Sequence, residues 1–164
     1  MNESRLEKLW QHVMNSTTVA ESSIHGPDHW ARVERNGLYI SRFNDANQIV
    51  VQLFALFHDC MRINDETDDN HGKRGAEFAG QLRSSFIDLD DESFSLFEVA
   101  CSNHTDELYH DDITIATCWD ADRLDIGRIG IVPNQNYLNT NIAQQIAKTG
   151  KFHYLDQVSL RVIQ

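Results

Sequence analysis

Residues 49–57 read IVVQLFALF, a run that is apolar on nearly every side of a helix, and it stops at the adjacent pair His58-Asp59. A helix that is apolar all round must be buried, so the rest of the chain has to surround it. The run is nine residues long and contains Gln52, far short of the ~20 residues of a membrane span.

The flanking sequence supplies the surrounding layer. Only two prolines and eight glycines occur in 164 residues. Few breakers mean long elements, and helical periodicity recurs along nearly the whole chain. Helices are expected over 3–14, from Pro27 to about Phe43, over 46–62 with Asn44 or Asp45 as its cap, and over 71–86 and 92–104. A sixth runs from Ile113 through WDADRLDIGRIG and a last one over 140–148. The polar, acidic stretch Asn64–Asn70 reads as a loop, Pro133 breaks the pattern, and the tail from Phe152 reads as helix or strand. The expected fold is all-α, one compact bundle of roughly six to eight helices. Its motif-bearing core spans about 25–131, with a C-terminal extension over 132–164. A chain of this length buries roughly 68–70% of its unfolded surface, so it needs no disulfide or metal merely to hold a core.

Lys plus Arg number 14 and Asp plus Glu 25, a formal charge of −11. Such a chain repels nucleic acid and anionic membranes, though a local basic pocket for a small phosphorylated ligand remains compatible with it. Cys60, Cys101 and Cys118 are odd in number, widely spaced and form no CxxC, which fits free thiols in a reducing compartment. The N-terminal MNESRLEKLW has no apolar signal core. A soluble, cytoplasmic protein is the expectation.

Polar residues occupy positions where a core should lie. His29 shares a face with Val33 and Ile40; His58 and Asp59 close the central run; His71 heads the stripe Gly75, Ala79, Leu82; His104 ends the stripe Phe97, Cys101. Asp122 shares a face with Ile115, Cys118, Trp119, Ile126 and Ile129. Any single histidine reads most simply as a satisfied core residue. An isolated buried carboxylate costs several kcal/mol and must be paired or ligate a metal. Five helices each turning a His or Asp inward are satisfied together by one shared metal centre. Imidazole and carboxylate without thiolate suit hard or borderline divalent ions. Four His and two Asp exceed what one tetrahedral zinc requires. The expected cofactor is one or two ions of manganese, iron, cobalt, nickel, zinc or magnesium, held by His29, His58, Asp59, His71, His104 and Asp122. Asp120 and Asp122 face nearly opposite ways on a helix. Asp122 sits amid the apolar face and is assigned to the metal, with Asp120 as the fallback; Asp125, on the flank of Asp122, is placed behind the ligands or towards substrate.

The ordered series HGPDHWARV, FHDCMRIND, DDNHGKRGAEFA, NHT and CWDADRLDIGRIGI resembles the HD-domain superfamily of metal-dependent phosphohydrolases, over about residues 25–131. The family's first His, adjacent His-Asp pair and later Asp correspond to His29, His58 with Asp59, and Asp122. The two additional histidines of its phosphodiesterase-like branches correspond to His71 and His104. The resemblance implies an all-helical fold and hydrolysis of a phosphoester, often on a nucleotide, by metal-activated water.

Arg32, Arg35, Arg62, Arg74, Arg123 and Arg128 all lie within a few residues of the proposed ligands. Guanidinium forks match phosphate oxygens; the plainer reading is that they neutralise nearby carboxylates. Arg62, Lys73 and Arg123 are the expected phosphate contacts. Asp65 follows the His-Asp pair within one loop and is a candidate general base. The catalytic set is thus Asp59, Asp65, Arg62 and Asp125. His25 either lines the pocket mouth or caps a helix start, whereas His12, His110 and His153 read as surface residues and the cysteines as buried fillers. The function expected is hydrolysis of a small phosphorylated compound, a nucleotide above all. The alternatives are a di-iron oxygenase on the same scaffold and a non-catalytic metal- or nucleotide-binding module.

Overall fold

In a computed structural model, which describes residues 1–20 and 22–163, seven α-helices and three 3₁₀ segments follow one another, with no strand among the described residues. The α-helices are α1 (Glu3–Ser16), α2 (Pro27–Ile40), α3 (Gln48–Phe57), α4 (His71–Leu82), α5 (Asp91–Asn103), α6 (Ile113–Leu124) and α7 (Asn141–Thr149). Among the described residues, no helix is long and apolar enough to cross a membrane.

Local chemistry sets the helix starts. The side chains of Asn2, Asn47, Asp90, Asp112 and Thr140 each accept from backbone N–H groups one turn into the helix that follows. They satisfy donors that the helix itself leaves unpaired. Pro27 stands at the first turn of α2, where its missing N–H costs nothing. Asn47, not Asn44 or Asp45, caps α3; the Asn44 side chain instead donates to Thr117 Oγ1.

Several ends fall short of the periodic pattern. α2 stops at Ile40, α4 at Leu82 and α3 at Phe57. At the end of α3 the His58 ring Nδ1 binds the Phe54 and Ala55 carbonyls. The chain then turns, its Cys60 and Met61 carbonyls taken by Thr17 and Arg74 side chains. α6 tightens into a 3₁₀ turn over Asp125–Ile129, and the tail forms 3₁₀ helix over Phe152–Gln157 rather than strand.

α3 occupies the centre, packed against α2, α4, α5 and α6. Val50, Val51 and Leu53 to Phe57 are fully buried. α1 closes one side through Leu6, Leu9, Trp10 and Val13, with Trp10 stacked obliquely near Trp30. α4 approaches its neighbours closely at two glycines. A Cβ at Gly75 would lie 2.0 Å from the Phe57 carbonyl oxygen, and one at Gly72 2.0 Å from that of Cys101. Glycine at both positions therefore brings the start of α4 against the ends of α3 and α5. The C-terminal segment is tied back by Arg161, whose fork donates to both oxygens of buried Glu34 on α2 at 2.7 and 2.6 Å.

Candidate metal centre

Each expected ligand reaches the same point from an element end or a buried helix face. His29 lies in the first turn of α2, His58 caps the C-terminus of α3 and Asp59 follows it; His71 opens α4, His104 caps α5 and Asp122 lies in the last turn of α6. The four imidazoles and Asp59 are buried, whereas the Asp122 side chain is 21% exposed and marks the solvent side.

Asp59 stands between two histidine pairs. The Nε2 atoms of His29 and His58 are 3.1 Å apart, and those of His71 and His104 are also 3.1 Å apart. Asp59 Oδ2 lies 3.6 Å from His29 Nε2 and 3.5 Å from His58 Nε2. Its Oδ1 lies 3.0 Å from His71 Nε2 and 3.7 Å from His104 Nε2. Asp122 Oδ1 joins the first pair, 3.2 Å from His29 Nε2 and 3.8 Å from His58 Nε2. The donor atoms of His29, His58 and Asp122, and those of Asp59, His71 and His104, fall into two groups, each within 4.8 Å.

The outward nitrogens fix which atoms face inward. Nδ1 of His29 meets Asp125 Oδ2 at 2.7 Å, that of His58 the Phe54 and Ala55 carbonyls at 3.1 Å, that of His71 the Asp68 carbonyl at 2.6 Å and that of His104 the Cys101 carbonyl at 2.8 Å. Every one of these partners is an acceptor, so each Nδ1 carries the proton and each neutral ring turns its Nε2 lone pair inward. This is the outer-sphere arrangement that orients metal-binding histidines. Two lone pairs 3.1 Å apart repel unless a proton or a cation lies between them. Asp59 Oδ1 adds a second sign. It is buried and receives no hydrogen bond of acceptable geometry, even with His71 Nε2 3.0 Å away. An orphaned buried carboxylate oxygen is costly, and a divalent ion satisfies it. The donor set therefore fits one or two such ions.

The charges follow the same logic. Burial opposes ionisation of Asp59, but the surrounding imidazoles, His58 foremost, hold its carboxyl well below the usual range. Burial likewise opposes charge on Asp122, and His29 and His58 hold its pKa down. Burial pushes the His58 imidazole down to about 3, against the pull of Asp59 and Asp122. For His29 and His104 burial is outweighed, by Asp122 and Asp125 in the first case and Asp59 in the second, and both pKa values rise.

Helix spacing leaves Asp120 and Asp122 as alternatives; contacts separate them. Asp120 is fully buried on the opposite side of α6 and accepts from Asn139 N and Nδ2 and from Thr140 N and Oγ1. It pins the start of α7, while Asp122 faces the histidines. The apolar stripe that favoured Asp122 was an incomplete criterion, because α6 is buried on all sides from Thr114 to Ala121.

Three expected site residues stand elsewhere. Lys73 is exposed on α4 and makes no hydrogen bond or ion pair among the described residues. Asp65 is exposed, accepts from Ser23 Oγ and lines a small cleft with Arg62, outside the clustered donors. Arg123 donates to the carbonyls of His104, Glu107, Leu108 and Tyr137 and lies over the Trp119 ring; it holds the α5–α6 loop rather than a substrate. Asp125 stands behind His29, and its Oδ1 accepts from Arg32 Nε at 2.8 Å. Arg74 and Arg35 pair with Asp68 and Asp156, the plainer role for arginines. Arg62 is buried, with Nη1 3.1 Å from His71 Nε2.

His25 is the residue underrated from sequence. Its Nδ1 lies 2.7 Å from Asp59 Oδ2, and with His29 and Asp59 it forms a third group of clustered donors. The signal was the HGPDH spacing, which sets His25 and His29 four residues apart across the start of α2. His12 packs on Phe78 and Phe86 and His110 on Trp119, both half-buried rather than superficial, whereas His153 is exposed. All three cysteines are buried, and burial pushes their thiols up.

A cavity of about 790 Å³ shares His29 and Asp125 with the cluster. Arg32, Arg35 and Arg128 line it together with Ile24, Val132, Pro133, Phe152 and Leu155. The C-terminal segment thus forms part of its wall.

No family model, curated protein or solved structure matches this chain.

Proposed function

We propose that the protein is a divalent-metal-dependent phosphohydrolase of the HD-domain type, acting on a small phosphorylated compound such as a nucleotide. The observation that carries the reading is Asp59: its two oxygens each face a pair of Nε2 lone pairs, and one of them has no hydrogen bond. His29, His58, Asp59 and Asp122 would hold one ion, and Asp59, His71 and His104 a second. Such ions supply a Lewis acid for phosphoryl oxygens and a water of lowered pKa.

The chain's own residues do the rest. Asp125 keeps the proton on His29 Nδ1, and the Phe54, Asp68 and Cys101 carbonyls do the same for His58, His71 and His104. His25 binds Asp59 Oδ2 through Nδ1 and remains 15% exposed, so it orients that carboxylate from the edge of the site. Arg32, Arg35 and Arg128 supply positive charge to the neighbouring cavity in a chain of net charge −11. The apolar side chains opposite them suit the body of a nucleoside.

The test is a panel of phosphomonoesters, phosphodiesters and nucleotides assayed without oxygen in the presence of Mn²⁺, Co²⁺ or Ni²⁺. Metal-dependent phosphate release, lost on chelation, is expected. Absence of turnover across the panel, or substrate-dependent oxygen uptake in its place, would contradict the reading.

A further inference from the structure

The two histidine pairs differ in charge. The His29–His58 pair faces Asp122 Oδ1 as well as Asp59 Oδ2. The His71–His104 pair faces Asp59 Oδ1 and, where the first has a second carboxylate, a guanidinium: Arg62 Nη1 lies 3.1 Å from His71 Nε2 and 3.6 Å from Asp59 Oδ1. This fork is fixed. The Arg62 side chain is 9% exposed, Nε donates to the Asn64 carbonyl at 3.2 Å and Nη2 to the Glu66 carbonyl at 2.7 Å. An arginine keeps its charge at any accessible pH, and a fixed like charge a few ångströms away weakens the binding of a cation.

Position points the same way. Arg62 Nη1 lies 3.1 Å from His71 Nε2 and 3.3 Å from its Nδ1, against the ring and in line with neither lone pair, and among the described residues it donates to no oxygen. An anionic oxygen beside the ion would give Nη1 an acceptor and neutralise the repulsion at once, as phosphate does for a guanidinium. A cleft of about 300 Å³ opens on His71 and Arg62; Glu66, Asp68, Asp69 and Asp106 also line it, so Arg62 is the group there that can receive an anion.

We propose that Arg62 makes the His71–His104 pair a conditional metal site, one that takes its divalent ion together with a phosphate-like anion and only weakly alone. The inference rests on the metal reading above and assigns to Arg62 the coupling between ion and anion. The first pair has two carboxylates and no guanidinium against its Nε2 atoms, Arg32 and Arg128 being held off by Asp125, and fills independently.

The experiment is Mn²⁺ titration calorimetry with parallel Mn²⁺ electron paramagnetic resonance, with and without inorganic phosphate, on the full chain and its Arg62→Gln and Arg62→Lys variants. The wild type without phosphate is expected to bind one ion tightly and a second about tenfold or more weaker, and phosphate to strengthen the second by a similar factor. Arg62→Gln should close that gap without phosphate and lose the phosphate effect, with the first site unchanged. Arg62→Lys, which retains the charge, should keep the gap. Two equal wild-type sites, an unchanged gap in Arg62→Gln, or a weakening of both sites in that variant would overturn the role of Arg62 alone. No Mn²⁺ uptake by any form would remove the metal reading beneath it as well.

Discussion

Asp125 Oδ2 lies 2.7 Å from His29 Nδ1 while its Oδ1 accepts from Arg32 Nε at 2.8 Å. One carboxylate thus sets the tautomer and ring orientation of His29 and connects it to an arginine of the neighbouring cavity. Replacing Asp125 with Asn keeps the shape and removes the charge. The expected outcome is a folded protein whose Mn²⁺ affinity falls about 10–100-fold. Calorimetric titration measures it; an unchanged affinity would show that this contact does not tune the site.

Gly75 sits where a Cβ would meet the Phe57 carbonyl oxygen at 2.0 Å, whereas a Cβ at Gly80, on the same helix, meets nothing within 4 Å. Gly75→Ala must push α4 away from α3 at the residue before His58. A cost of about 1–3 kcal/mol is expected, with weaker ion binding at His71. Gly80→Ala should be neutral or stabilise by up to about 1 kcal/mol. Urea unfolding of both variants decides, and equal midpoints would refute the packing argument.

Most of the site was legible because its residues interrupt apolar stripes. His29, His58, His71 and His104 each stand on or at the end of a helix face that is otherwise core, and the structure brings them to Asp59. What sequence spacing missed has a common cause. Periodicity put Asp122 ahead of Asp120 on an apolar face, but α6 is buried on all sides from Thr114 to Ala121, and it is the contacts from Asn139 and Thr140 that set Asp120 apart. Lys73 and Asp65 lie beside the clustered residues in sequence, but both are exposed, Asp65 turned to Ser23. Arg123 is held by four carbonyls of a loop and of the chain beyond α6 whose paths no periodicity describes. α3 ends where the His58 ring takes the Phe54 and Ala55 carbonyls, and α4 where the Arg83, Ser85 and Phe86 amides turn back onto Gly80 and Leu82, details that a periodic pattern does not resolve.

Arg161 and Glu34 form a buried fork whose partners include Gln52, which donates to Glu34 at 2.9 Å. Removing the cation leaves the buried Glu34 side chain without its ionic partner. Arg161→Met is expected to cost about 3–5 kcal/mol, and the double variant Arg161→Met with Glu34→Leu to recover much of that loss. A single-variant cost near zero by chemical denaturation would mean that the tail contributes nothing to the bundle.

Asp68 is ion-paired with Arg74 at 2.7 Å and accepts from Ile63 N at 2.9 Å. Burial opposes its charge, but Arg74 and the Ile63 amide outweigh it and its pKa is lowered. A depressed carboxylate stabilises the fold above its unfolded pKa, near 3.9, and that contribution is lost as pH falls through the folded value. The stability difference between wild type and Asp68→Asn should therefore be present at pH 6 and shrink below about pH 4. A difference independent of pH would contradict the sign.

The central claim is that Asp59 joins two imidazole pairs into a centre for divalent ions. Equilibrium dialysis against Mn²⁺ followed by elemental analysis tests it directly, comparing wild type with Asp59→Asn. The account predicts at least one ion retained by each wild-type chain and none by the variant, with both proteins helical by circular dichroism. A metal-free wild type, or an Asp59→Asn protein that retains the full complement, would contradict it.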